Sequence, residues 1–203
     1  MYILAASNTI YSMKKLLFFF FLSFQFIQAQ DTIPKSLLLK KKNEIRVDLL
    51  AVAFSRLNIT YERFLNKNYS VGISGVFSNS KKAKDDFDEG NINSFTKYEL
   101  IPFVRYNLSQ GQRSFYFAEV FADVNGGDFR EILLLSDDSN NNYYVLDKSN
   151  YSDVGMGAAV GYKYYIQDQF GIELLVGFGS NLLNKDKSPD ILSRVGVSAS
   201  YRF

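Results

Sequence analysis

The sequence predicts an all-β chain, an antiparallel up-and-down barrel of about eight strands that crosses a membrane. Three observations lead there. Residues 43–203 divide into strand-like runs bounded by turn residues, with no convincing long helix. One face of the runs collects Val, Leu, Ile and Tyr, and the other collects charges and glycines. No helix is available to cover the apolar face, so lipid or a second sheet must do so.

The clearest run is the last, 191–203. Ile191, Val195, Val197, Ala199, Tyr201 and Phe203 fall on one side, where Ser193 is the polar member. Arg194, Gly196, Ser198, Ser200 and Arg202 fall on the other, with Leu192 at its far end. Alternation of this length marks a strand with one apolar and one polar face.

Composition agrees. The 19 Phe and 14 Tyr suit β-structure and membrane interfaces. The absence of Cys excludes disulfides, Cys-ligated zinc and a Cys nucleophile, and the absence of His removes the commonest general base and metal ligand. We therefore expect no enzyme, no cofactor and no metal site.

The N-terminal stretch 13–30 reads as an export signal. Lys14 and Lys15 precede an apolar run, 16–27, and Gln28-Ala29-Gln30 closes it. That run falls short of the ~20 residues a membrane-spanning helix needs. A signal peptide over 1–29 is expected, with Met13 the better start, followed by a basic leader over 30–42 and a barrel domain over 43–203. Loss of Lys14 and Lys15 brings the 23 basic residues level with the 21 acidic ones, so charge gives no sign of nucleic acid.

The strands follow in order. In 44–54, Ile45, Val47, Leu49 and Ala51 oppose Arg46 and Asp48, and a tight connection at Ser55-Arg56 follows. In 57–65, Leu57, Ile59 and Tyr61 oppose Asn58, Thr60 and Glu62. Asn66-Lys67-Asn68 turns into 69–77, where Val71 and Ile73 oppose Ser70, Gly72 and Ser74. After a charged connection, 78–94, the run 95–108 sets Leu100, Val104 and Tyr106 against Glu99, Arg105 and Asn107. Pro102 lacks a ladder donor there and suggests a bulge. Ser109-Gln110-Gly111-Gln112 turns into 114–125, where Phe115, Phe117 and Phe121 share the polar side with Glu119 and Asp123. Residues 126–150 form the longest connection, and its flanks 131–135 and 143–146 could pair as a hairpin. In 153–166, Val154 to Tyr164 oppose Gly155, Gly157, Gly161 and Lys163. Gln167-Asp168-Gln169 turns into 170–179, where Glu173 is the charge opposite Ile172, Leu174, Val176 and Phe178. A loop, 180–190, delivers the last strand.

Connections after the second, fourth and sixth runs are short, and those after the third, fifth and seventh are long. Outer-membrane barrels share this layout, and Ser55-Arg56 is the exception to it. With the apolar face outward, Glu62, Glu99, Arg105, Glu119, Asp123, Lys163, Glu173, Arg194 and Arg202 form a charged network inside the lumen, with Arg194 and Arg202 paired to acids such as Glu173. The inverted assignment gives a soluble, lipocalin-like carrier with an apolar pocket. Tyr69, Tyr106, Tyr116, Tyr164, Tyr201 and Phe203 gather near the short-turn end of the apolar face, which favours lipid. The glycines on the charged face favour it too, as a narrow lumen needs room.

Asn58-Ile59-Thr60-Tyr61-Glu62-Arg63-Phe64-Leu65, followed by Tyr69-Ser70-Val71-Gly72, resembles the early hairpin of small Gram-negative outer-membrane β-barrel proteins. These are similar in build to the OmpA, OmpX and OmpW barrels. Tyr201-Arg202-Phe203 resembles the C-terminal signal read by the barrel-assembly machinery, which makes Tyr201 and Phe203 the candidate assembly signal. The resemblance implies a cell outer-membrane location and brings no functional residues with it. Some such barrels modify lipid A with a Ser and a His, a route closed to a chain without His.

Glu119 beside Arg105 reads as part of an ion-pair plug rather than a working acid. Asp85, Asp86, Asp88 and Glu89 lack calcium-loop spacing and have lysines beside them, so they read as a solvated loop. Leu133, Leu134 and Leu135 could meet lipopolysaccharide or a partner, although pairing within their hairpin is simpler. The expected role is structural, or interaction with an extracellular ligand or protein through loops 78–94, 126–150 and 180–190. A narrow channel for small or apolar solutes is the alternative.

Overall fold

A computed structural model describes residues 41–109, 113–136, 142–166 and 169–203. The expected signal peptide and most of the leader lie outside them, as do parts of the turns at 109–112, 137–142 and 167–169. The elements are β1 (Asn43–Asp48), α1 (Leu49–Ala53), β2 (Arg56–Phe64), β3 (Tyr69–Ser78), α2 (Lys81–Glu89), β4 (Ser94–Asn107), β5 (Ser114–Ser136), β6 (Asn142–Ile166), β7 (Phe170–Asn181) and β8 (Ile191–Arg202). Each strand pairs antiparallel with the next, and β1 pairs with β8 from Glu44↔Arg202 to Asp48↔Ser198. Closure leaves no unpaired barrel edge. The result is the eight-stranded up-and-down barrel the alternation predicts.

The faces fall as expected. On β8 the inward positions Leu192, Gly196, Ser198, Ser200 and Arg202 are buried and Arg194 is half-buried. On β7, Ile172, Leu174, Val176 and Phe178 are each about half exposed, whereas Glu173 is 1% exposed. Charge is inside and hydrocarbon is outside. A soluble carrier with an apolar interior would have them reversed.

Several boundaries differ from expectation. The first run does not continue to 54, because Asp48 stops it: its Oδ1 accepts from the Leu50 and Ala51 N–H groups and starts α1. The connection from β1 to β2 thus spans 49–55, which removes the Ser55-Arg56 exception. The charged connection at 78–94 holds a nine-residue helix, α2, capped by Ser80 and ended by Gly90 in the left-handed conformation. Most of the segment 126–150 is strand, and the expected pairing of its flanks 131–135 and 143–146 is found. β5 and β6 run through it as one ladder from Ser114↔Tyr164 to Ser136↔Asn142, well beyond the other strands.

Pro102 makes no bulge. It stands opposite Ile73, and the β4–β5 register is the same on either side of it, Leu100↔Val124 and Phe103↔Phe121. The irregularity lies instead between Thr96 and Tyr98. There a Cβ on Gly127 would run into the Phe95 carbonyl, so glycine lets the two strands cross closely.

The interior glycines have a specific use. Gly72 faces Phe103 on the next strand, Gly161 faces Phe117, and Gly157 faces Phe121. In each case an added Cβ would overlap the phenylalanine ring. The rings lie across the neighbouring glycines and fill a lumen too narrow for two side chains.

Candidate functional site

The lumen has two unlike parts, a floor at the short-turn end and a mouth at the other. At the floor, Phe64, Phe115, Phe117 and Tyr165 form one apolar cluster; Val76, Ile101, Phe103, Phe121 and Ala159 form a second nearer the mouth. Arg105 bridges the clusters, its guanidinium 4.7 Å from the Phe103 ring centre and 4.1 Å from that of Phe117.

Around Arg105 lies an ion network. Arg105 donates through Nε to Glu119 (2.6 Å), through Nη1 to Glu62 (3.0 Å), and through both terminal nitrogens to Glu173 (2.7 and 2.9 Å). Arg46 contacts Glu44 (3.2 Å), Glu173 (3.0 Å) and Glu62. Lys163 reaches Glu44 (2.7 Å), Glu62 (3.1 Å) and Glu173 (2.9 Å). Arg194 pairs with Glu119, Ser70 donates to Glu62 (2.5 Å), and Tyr165 donates to Glu44. Four cations thus meet four carboxylates. Glu44, Arg46, Glu62, Arg105, Glu119, Lys163 and Glu173 are each at most 3% exposed. Burial at this depth is tolerable because almost every charge has several opposite partners.

Glu44, Glu62 and Glu173 also have the spacing of a three-carboxylate metal site. The Lys163 ammonium stands among those oxygens as the cation, so the triad serves the ion network.

The predicted network residues divide between the two parts. Glu62, Arg105, Glu119, Lys163, Glu173 and Arg194 come together in the plug. Glu99 and Asp123 do not, as they line the mouth. Arg202 lies at the floor over Phe64 (4.3 Å) and Tyr165 (5.1 Å), and its Nε donates to the Lys41 carbonyl at 2.6 Å. Arg194 pairs with Glu119 across the lumen rather than with Glu173, whose cation partners include Arg46, Arg105 and Lys163. Glu44, Arg46 and Tyr165 were missed by the sequence reading. Arg46 sat on the charged face already, and Tyr165 follows Lys163 at the two-residue period.

The mouth holds two cavities of about 370 and 400 Å³, which share Phe54, Arg56, Glu99, Ser193 and Arg194. Arg56 donates to Glu99 at 2.5 Å. Asp123 is 2% exposed, and its Oδ1 has no hydrogen-bond partner among the described residues. Beyond the mouth, Asp153 ties down the connection from β7 to β8. It accepts from the Leu183 and Asn184 N–H groups, each at 2.9 Å, and from the Ser188 hydroxyl at 2.5 Å. Burial opposes its charge, yet these bonds and one from the Val154 N–H hold its carboxyl below the usual range.

Helix α2 rests on the β5–β6 extension. Phe87 is buried, Arg130 donates to the Phe87 and Asp88 carbonyls (2.5 and 2.9 Å), and Lys148 pairs with Asp88 at 3.0 Å. Of the acidic group at 85–89, Asp88 is thus an ion-pair partner on a helix. Leu133, Leu134 and Leu135 pair with Val145, Tyr144 and Tyr143. They remain exposed nonetheless, as does Ile132.

The outer wall carries two aromatic rows. At the short-turn end, Tyr69 packs against Tyr106 (5.1 Å between ring centres), Tyr116 against Tyr162 (4.8 Å), Phe170 against Tyr201 (5.3 Å), and Tyr201 against Phe203 (6.3 Å). Towards the mouth, Phe77, Tyr98 and Phe178 are exposed on β3, β4 and β7. Each lies eight residues along its strand from Tyr69, Tyr106 and Phe170 respectively. Sequence reading found the first row and missed the second, because levelling rows across strands needs the register.

The chain belongs to a family described as Protein of unknown function (DUF3575), whose model matches residues 16–195. No curated protein matches it. Among solved structures, it is similar to the N-terminal β-barrel domain of OprF from Pseudomonas aeruginosa, at 11% identity and a TM-score of 0.48, over 80% of this chain and 98% of that one. It is also similar to Ail, the attachment invasion locus protein of Yersinia pestis, at 11% identity and a TM-score of 0.44, over 80% and 99%. A second Ail structure, in a phospholipid bilayer nanodisc, gives 14% identity and 0.41, again over 80% and 99%.

Proposed function

We propose that this DUF3575 member spans the outer membrane as a plugged barrel and acts structurally, or by contact through the parts that project from its mouth. The observation that carries the reading is the pair of aromatic rows. Eight residues at ~3.3 Å each, tilted by ~35–45°, separate the rows by about 20 Å, close to the ~25 Å apolar band of such barrels. Between them, the outward residues Ile73, Leu100, Val104, Ile172, Leu174 and Val176 are all exposed and apolar. In water such a belt would drive aggregation; in lipid it is the solvated surface.

The neutral plug supports a structural or contact role over a conduit, since an ion would have to displace paired charges to pass. The projecting β5–β6 extension, with α2 against it, is the surface offered for contact. At the opposite end Tyr201 and Phe203 stand exposed, where the assembly machinery can read them. Carbonate extraction of membranes tests the reading. The protein should stay in the pellet, and release to the supernatant would sink it. Single-channel current from reconstituted protein would favour the conduit.

A further inference from the structure

We propose that the barrel wall opens sideways behind α1 and takes up an acyl chain of a surrounding membrane lipid. The inference rests on the membrane-spanning reading above, and its test separates the two.

Closure gives every strand two neighbours, but the seam made by β1 is short. β1 ends at Asp48, so its ladder to β8 stops at Asp48↔Ser198 and its ladder to β2 stops at Val47↔Ile59. The neighbouring strands run on. β8 stays paired with β7 as far as Ile191, and β2 stays paired with β3 as far as Arg56. Residues 191–197 and 56–58 therefore have a strand on one side only. Ser193 stands opposite Phe178, and Leu57 opposite Phe77, both of the aromatic row towards the mouth. From there the seam runs down to Ser198, inside the apolar belt.

In that seam α1 takes the place of strand. It lies against β8 and β2, has no buried residue, and makes no backbone hydrogen bond to either strand among the described residues. The cavity of about 370 Å³ adjoins it, within the ~300–1,000 Å³ range of small-ligand sites. Its accessible apolar lining draws on both faces of the wall. Leu175 points inward and is half-buried, Val195 belongs to the lipid-facing side and is 52% exposed, and Leu50 and Ala51 come from α1. A cavity bounded by both faces passes through the wall. Its chemistry also changes with height. Arg56, Glu99 and Ser193 stand level with the aromatic row, at headgroup depth, while Leu175 and Val195 lie deeper in the belt. A lipid has the same order, head above chain, whereas a polar solute would leave the lower lining unmatched.

The test uses the full chain in phosphatidylcholine nanodiscs that include a phosphatidylcholine with a diazirine in its acyl chain. After illumination, adducts are mapped by fragment mass spectrometry. Two adjacent residues supply the contrast, since Leu174 faces outward and is 51% exposed while Leu175 faces inward. Adducts are expected on both. Ala51→Trp fills the cavity from a helix without buried residues, and it should remove the Leu175 adducts while leaving those on Leu174. Val195→Trp gives the same reading should Ala51→Trp not fold. Adducts on Leu174 with none on Leu175 would overturn the inference and leave the lipid belt standing. Adducts on neither would remove the membrane-spanning reading and the inference with it. Unchanged Leu175 labelling in the filled variant would overturn the sideways route. If a free diazirine fatty acid labels Leu175 and the phospholipid does not, the occupant is not a membrane lipid and the proposal fails.

Discussion

Around Arg105 the lumen is packed with four carboxylates and four cations, held between two aromatic clusters. Towards the mouth, Arg56 and Glu99 line two cavities instead and Asp123 lines one of them, and one carboxylate oxygen there has no hydrogen-bond partner among the described residues. Both regions carry charge on the inward face of the same strands. The plug saturates its charges through several partners each, which fits a structural element. The mouth leaves groups unsatisfied and space unfilled, which fits a site that meets something else.

Removing the hub of the plug should have the largest effect. Arg105→Met keeps much of the bulk but leaves Glu62, Glu119 and Glu173 without their shared cation. A loss of about 3–5 kcal/mol is expected, as for breaking a buried pair. Denaturant titration in micelles, followed by heat-shifted gel mobility, would report it. A near-neutral result would mean the network is wet and loosely held.

A charge placed on the outer wall comes next. Leu174→Arg, midway between the aromatic rows, should cost about 2–4 kcal/mol in lipid, against about 0–1 kcal/mol for Leu134→Arg on the extension. Equal effects would contradict the position of the belt. At the mouth, Glu99→Gln breaks the Arg56 pair, whose arginine side chain is 39% exposed. Screening by water limits that loss to about 1 kcal/mol or less, so the mouth should tolerate what the plug does not.

The smallest effect is local and depends on pH. Asp153 has a lowered carboxyl pKa in the folded state, so its contribution is present above the ordinary value of ~3.9 and is lost as pH falls through the folded value. Hydrogen exchange at the Leu183 and Asn184 amides, corrected for intrinsic rate, should therefore quicken below about pH 4. Asp153→Asn should abolish that dependence.

Much of the fold was legible in the sequence because a barrel strand has a period of two and its faces differ in chemistry. The same alternation places Glu62, Arg105, Lys163 and Glu173 inside. What it does not carry is register. The Gly72–Phe103 and Gly161–Phe117 pairs, the second aromatic row and the Arg194–Glu119 contact all join residues on different strands. Local chemistry misled at Asp48, where a helix cap looks like one more polar strand position. It misled again at Gly126-Gly127, where the long connection is expected to begin but Gly127 instead relieves a close strand approach. Asp123 was grouped with the plug because alternation gives the face of a residue and not its height.

The absence of cysteine allows the central claim to be measured directly. Phe170→Cys, Leu174→Cys and Phe178→Cys, each spin-labelled in nanodiscs, report access to oxygen and to a water-soluble nickel chelate. The lipid-belt account predicts the greatest oxygen access and least nickel access at position 174, with a symmetrical fall towards 170 and 178. High nickel access at all three positions would contradict it.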